Sequence, residues 1–172
     1  GDFNNWDRSS HPLQMDQWGV WEIVLPFSEY KDRLVHKSLV KVHVVADNGN
    51  MDRIPAYIRR VVQDEESKDF SGQIWAPEKP FIWTDKVFEP DFPKNGLLIY
   101  ECHVGMGLEV EAVGTYLAFA DEILPKIKNL GYNAIQLMAV MEHPYYGSFG
   151  YHVSSFFCPS SRFGTPEDLK YL

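Results

Sequence analysis

The side chains best suited to chemistry in this chain are flat rings. From Met141 to Tyr151 the sequence reads Met-Glu-His-Pro-Tyr-Tyr-Gly-Ser-Phe-Gly-Tyr, an aromatic-rich loop in which Gly147 and Gly150 allow tight turns. The loop follows Ala134 to Val140, a short, almost unbroken apolar run expected to be a strand buried on both faces of a parallel sheet. Aromatic faces on a loop after such a strand lie where an α/β barrel keeps its chemistry. Nearer the start, Trp6 and Trp18 flank a polar loop, and Lys41 falls on a nearby alternating strand. An indole stacks on the apolar C–H face of a hexose while a long donor side chain reaches its hydroxyls, so this combination suits a sugar. The competing arrangement packs Trp6 under its own turn and leaves Lys41 solvated, and spacing alone leaves both open.

Three segments must position these residues. Residues 1–69 read as a small β-sandwich of short strands. Val20 to Leu25 and Leu39 to Ala46 alternate, ending at Pro26 and at the turn Asp47-Asn48-Gly49-Asn50, and Ala56 to Gln63 supplies another strand candidate. Residues 70–96 carry Pro77, Pro80, Pro90 and Pro93 among Trp75, Phe81, Trp83 and Phe88. Proline disfavours sheet interiors, so this segment is expected to be an extended connecting arm. From Leu97 the pattern changes class. Leu97 to Val104 is a buried-strand run, Thr115 is a plausible helix cap, and Ile123, Ile127 and Leu130 recur at helical spacing. Pro125 predicts a kink or a fresh helix start, and Gly131 closes the helix. Strand, helix and strand then form a right-handed βαβ unit. Thr165, Pro166 and Asp168 open a further helix. Residues 97–172 hold too few strands to close a barrel, so the chain is expected to be a piece of something longer.

Composition bounds the partners. The chain has 172 residues, 45% hydrophobic and 23% charged, which is globular rather than disordered. A net charge of -8 argues against nucleic acid or an anionic membrane, both of which attract basic surfaces. A neutral polymer remains compatible. No apolar run approaches the ~20 residues that span a bilayer. Cys102 and Cys158 have neither metal nor redox spacing, so buried free thiols in a reducing, cytoplasmic compartment are expected, with no metal and no cofactor.

These residues resemble a known family. Gly1-Asp2-Phe3-Asn4-Asn5-Trp6 is similar to the opening of the starch-binding module that precedes the barrel in glycogen and starch branching enzymes. Ile99-Tyr100-Glu101-Cys102-His103-Val104-Gly105 resembles their first barrel strand, with Cys102 where Ser or Ala is usual. Leu130 to Asn133 and Met141 to Tyr151 resemble the second strand and its loop, and Arg162 to Leu169 the start of the next helix. Gln136-Leu137-Met138 with the paired tyrosines is closer to the eukaryotic type. The likeness covers nearly the whole chain and is weakest between Asp64 and Asn95.

The resemblance implies a multidomain β plus α/β architecture: a β-sandwich carbohydrate-binding module followed by the truncated start of a TIM (β/α)8 barrel. It implies a 1,4-alpha-glucan branching enzyme, which cleaves an α-1,4 link with retention and transfers the chain to a 6-hydroxyl. That chemistry needs a carboxylate nucleophile and a second acid. The family carries these on later strands, so no catalytic residue is expected here and the chain should bind α-glucan without turnover. Glu101 and Glu142 match no catalytic position. Tyr151 matches the tyrosine that stacks under the sugar at the cleavage subsite, where a π face favours developing positive charge. His143, Tyr145 and Tyr146 match the neighbouring loop; Trp6, Trp18, Gly19 and Lys41 match the module's glucan contacts. Expected partners are glycogen, starch and maltooligosaccharides. The alternatives are an isoamylase-like debranching enzyme, disfavoured by the Met141–Tyr151 loop, and a non-catalytic glucan-binding protein, disfavoured by the βαβ unit.

Overall fold

A computed structural model describes residues 1–85 and 96–172. Pro90, Pro93 and Phe88 of the expected connecting arm lie outside the described residues. The chain divides into two compact units, Gly1–Glu78 and Lys79–Leu172. The first is built mostly from small sheets, and the second mixes short helices with two small sheets.

The first unit holds three antiparallel sheets. Strands β1 (Gln14–Met15) and β2 (Trp21–Glu22) pair as a short hairpin. The alternating run from Val20 to Leu25 contributes only two residues to it. A helical turn, α1 (Phe27–Tyr30), follows. Its Tyr30 hydroxyl meets Nε2 of His11 at 2.9 Å, and the rings of His11 and Tyr30 close edge-on around Phe3. Strand β3 (Leu39–Val40) stops at Lys41, and β4 (Val42–Ala46) resumes to pair with β5 (Gly49–Arg53) through the two-residue turn Asp47-Asn48.

Strand β6 (Val61–Gln63) and strand β7 (Phe70–Gln73) complete a sheet in the order β3-β7-β6. The start of the expected connecting arm is therefore a central strand. Gly72 explains why: a Cβ there would meet Ile58 Cγ1 at 3.1 Å and the Val40 carbonyl at 3.2 Å, so bare backbone is what fits between its neighbours. Trp75 packs its ring against His36 at 4.6 Å and lies under the Arg60 guanidinium at 5.2 Å. Of the segment Ala56–Gln63, only the last three residues are strand.

The second unit is a strand–helix–strand crossover. Strands β8 (Ile99–Cys102) and β9 (Ala134–Leu137) run parallel, with Ile99 opposite Ala134 and Cys102 opposite Leu137. Between them Thr115 caps α2 (Tyr116–Ala118) by accepting from the Ala118 N–H. Residues Phe119–Ile123 widen into a π-helical turn before α3 (Leu124–Asn129). Pro125 is the cause: it has no N–H for the Asp121 carbonyl and its ring would crowd that group. Gly131, at φ 93°, ends the helix as the sequence predicts. Cys102, Val104, Tyr116, Phe119, Ile127 and Phe163 form the core.

Strand β9 departs from expectation. It is half-buried with Gln136 exposed, rather than covered on both faces, because β8 is its one sheet neighbour among the described residues. Beyond it, β10 (Met141–Glu142) pairs with β11 (Ser155–Pro159) across the aromatic loop. Helix α4 (Pro166–Tyr171) begins at Thr165, whose hydroxyl accepts from the Asp168 N–H while the Asp168 carboxyl accepts from the Thr165 N–H.

Candidate functional site

Among the rings that reach the surface, one sequence-predicted group lies in each unit. In the first, Asn5 and Trp6 both take left-handed backbone, φ 53° and φ 60°, so the chain turns back on itself. The turn is pinned by the Asp2 carboxyl, which accepts the Trp6 indole N–H at 3.0 Å and the Leu39 N–H at 2.7 Å. Trp6 is thus tied by its polar edge to the strand that leads to Lys41, and remains 43% exposed. It lies between the two arrangements its spacing allowed. Lys41 is half-buried, and its ammonium has no hydrogen-bond or ion-pair partner among the described residues. Trp18 sits on a second turn, where Oδ1 of Asp16 accepts the N–H groups of Trp18 and Val20, both at 2.8 Å. Gly19 supplies the required φ of 83°. The turn holds Trp18 out at 80% exposure.

In the second unit the loop after β9 separates its rings into two kinds. Tyr145 and Tyr151 are each 67% exposed. The Tyr151 hydroxyl donates to Met138 Sδ at 3.3 Å, and its backbone N–H donates to Ser148 at 3.1 Å. Tyr145 folds over Gly147, where a Cβ would overlap its ring. Tyr146 and His143 face inward. The Tyr146 hydroxyl donates to the Gly105 carbonyl at 3.1 Å, and His143 is fully buried with Nδ1–H donating to the Met141 carbonyl at 3.1 Å. Phe149 and Phe156 are exposed beside this loop and in β11. Sequence reasoning did not single them out, although the Phe156-Phe157 doublet, next in sequence to the loop, was a signal.

The loop rests on polar groups buried beneath it. Glu142 is fully buried; Oε1 accepts the His143 N–H at 3.1 Å and Oε2 the Ser161 N–H at 2.7 Å. Arg162 donates from Nε to the His143 carbonyl and from Nη2 to the Pro144 carbonyl, at 3.3 and 2.6 Å. His103 donates Nε2–H to the Phe149 carbonyl at 2.8 Å. Acceptance by a carbonyl fixes each tautomer, and the second nitrogens, Nδ1 of His103 and Nε2 of His143, are buried without a partner among the described residues. Glu101 is exposed on β8 whereas both oxygens of Glu142 are occupied, so the two are not an acid/base pair. Among the described residues no group of three or more His, Cys, Asp or Glu could hold a metal ion, and no helix is long and apolar enough to cross a membrane.

The chain thus combines exposed indoles on a small β module with, next in sequence, a parallel βαβ unit and its aromatic loop. Residues 1–58 match the family model of carbohydrate-binding module 48, described as the isoamylase N-terminal domain. Along its whole length the chain is related to the 1,4-alpha-glucan-branching enzymes. It is 50% identical over 174 residues to the branching enzyme of Dictyostelium discoideum, covering all of this chain and 25% of that protein. It is 49% identical to that of Emericella nidulans, again over all of this chain and 25% of the relative. It is 46% identical to the chloroplastic/amyloplastic branching enzyme 2-2 of Arabidopsis thaliana, over all of this chain and 21% of the relative. The chain therefore spans a quarter or less of the length of these relatives.

Proposed function

We propose that this chain is the glucan-holding part of a 1,4-alpha-glucan branching enzyme, with residues 97–172 forming the opening strands of a (β/α)8 barrel. A two-stranded parallel sheet with Leu98 and Ile99 half-exposed supports the barrel reading, because parallel strands are stable when neighbours and helices cover them. The whole enzyme would break an α-1,4 link and form an α-1,6 branch through a covalent glycosyl intermediate on a carboxylate. This chain supplies ring platforms for that reaction and no carboxylate for it. Tyr151 offers its face to the sugar at the cleavage point, and Tyr145 extends the surface. His143 and Tyr146 support the loop from beneath. In the module, Trp6, Trp18 and Gly19 with Lys41 hold glycogen or starch. Two buried cysteines suit a reducing compartment, the cytoplasm in this proposal, while the plant relative is named for plastids.

The observation that carries the reading is a tyrosine held open. The Tyr151 ring is fixed at its hydroxyl and its backbone yet two-thirds exposed. Titration calorimetry with maltoheptaose tests it. Stacked rings contribute about 0.5–1.5 kcal/mol beyond burial, so Tyr151→Ala and Trp6→Ala should each weaken their own site by roughly threefold to tenfold. Unchanged heats in both variants would remove the reading.

A further inference from the structure

We infer that His103, at the end of β8, is a positioning residue that sets the angle of the Tyr151 ring through the peptide between Phe149 and Gly150. The inference rests on Tyr151 being a sugar platform. His103 itself is buried and cannot touch a polymer outside. Its Nε2–H bond to the Phe149 carbonyl joins residues 46 positions apart.

The bonded carbonyl belongs to a peptide that needs holding. Phe149 has φ 53° and ψ 26°, a left-handed conformation that a bulky side chain disfavours. Gly150 follows at φ 84°. The direction of the Phe149 carbonyl follows ψ of Phe149, and a change in that angle not offset by φ of Gly150 redirects the chain entering Tyr151. The Phe149 N–H is already taken by Tyr146 at 2.7 Å, which leaves the carbonyl as the free end of the turn. His103 closes it.

The imidazole is suited to this task because it cannot swing. Its ring meets the edge of Phe163 at 5.7 Å and 79°. A Cβ on Gly105 would stand 3.2 Å from its Cε1, so the space beside the ring is filled to the limit of a glycine. Among the described residues its Nδ1 has no partner, and the bond to Phe149 is therefore the one polar contact that orients the ring.

The test uses three substitutions in a Trp6→Ala/Trp18→Ala background, which removes both indoles of the module so that maltoheptaose binding reports chiefly on the second unit. Gln places an amide nitrogen near Nε2, Asn places one near Nδ1, and Leu has no donor. His103→Gln should keep affinity within about twofold of the parent, while His103→Asn and His103→Leu should lose roughly threefold or more, up to the loss seen for Tyr151→Ala. Amide exchange by NMR should quicken at Tyr151 in the Asn and Leu variants and stay unchanged at Met138, whose N–H bonds Cys102 in the sheet. Should Leu fail to fold, the Gln–Asn contrast decides. Equal affinity and equal Tyr151 exchange for Gln and Asn overturn the inference. If Tyr151→Ala leaves binding unchanged while Asn still quickens exchange at Tyr151, the platform reading falls and the clamp stands. If Tyr151→Ala weakens binding and Asn does neither, the clamp falls and the platform stands.

Discussion

Glu142→Gln is the sharpest probe of what holds the aromatic loop. The carboxyl is fully buried and each oxygen accepts a backbone N–H, from His143 at 3.1 Å and from Ser161 at 2.7 Å. Gln has the same shape, but one of its two terminal atoms is an NH2 that cannot accept. Whichever way the amide turns, one N–H loses its partner. A buried donor left unsatisfied costs about 1–3 kcal/mol. A middle value of about 2 kcal/mol raises the opening equilibrium by roughly thirtyfold, since 1.4 kcal/mol is a factor of ten. The readout is built into the chain. Its two cysteines, Cys102 and Cys158, both lie in the second unit and both are buried. Burial, with Glu101 nearby, also pushes the Cys102 thiol above its ordinary range, which slows its reaction while folded. Labelling by a chromogenic disulfide in mild urea therefore follows opening of that unit. Four of the five tryptophans lie in the first unit and monitor it separately by fluorescence. We expect labelling of Glu142→Gln to accelerate at least tenfold with the tryptophan signal unmoved. Labelling within threefold of the parent would refute the claim that these two bonds hold the loop.

Two further substitutions address other parts of the molecule. Gly150→Ala would place a Cβ 2.6 Å from the Ala139 carbonyl oxygen at a positive φ, so the turn must shift; left-handed strain alone costs about 1–2 kcal/mol, and both the melting temperature and maltoheptaose affinity should fall. In the first unit Arg8, at 2.7 Å, and then His43, at 2.7 Å, hold the Asp52 carboxyl well below the usual carboxylate range. Its contribution is therefore present above the unfolded value near pH 4 (about 3.9) and disappears as pH falls toward the lower folded value. Asp52→Asn should melt below the parent at pH 7, with the gap narrowing through pH 3 and 2; a gap constant across that range would contradict the pairing.

How much of this was legible beforehand depended on how far apart the partners lie. The cap at Thr165 was readable because Asp168, which completes it, is three residues away. The parallel pairing of β8 with β9 followed from two apolar runs and the helix between them. The strand at Phe70–Gln73 was not readable. Ser71 and Gly72 carry no apolar signal, and Gly72 earns its place by lacking a side chain where Ile58 and Val40 crowd in. At the candidate site the exposed rings were visible in the sequence, but the groups beneath them were not. A glutamate reads as surface until its partners are known, and Glu142 finds one of them 19 positions later at Ser161. His103 lay inside an apolar run that predicted burial, yet nothing local named its acceptor. Burial of a polar side chain requires a partner, and when that partner arrives from another loop, only the folded chain reveals it. The same reasoning separates the loop's four sequence candidates. Tyr145, Tyr146, Tyr151 and His143 look alike as rings; what divides the two exposed rings from the two inward ones is that Tyr146 and His143 find carbonyls to donate to inside, at Gly105 and Met141.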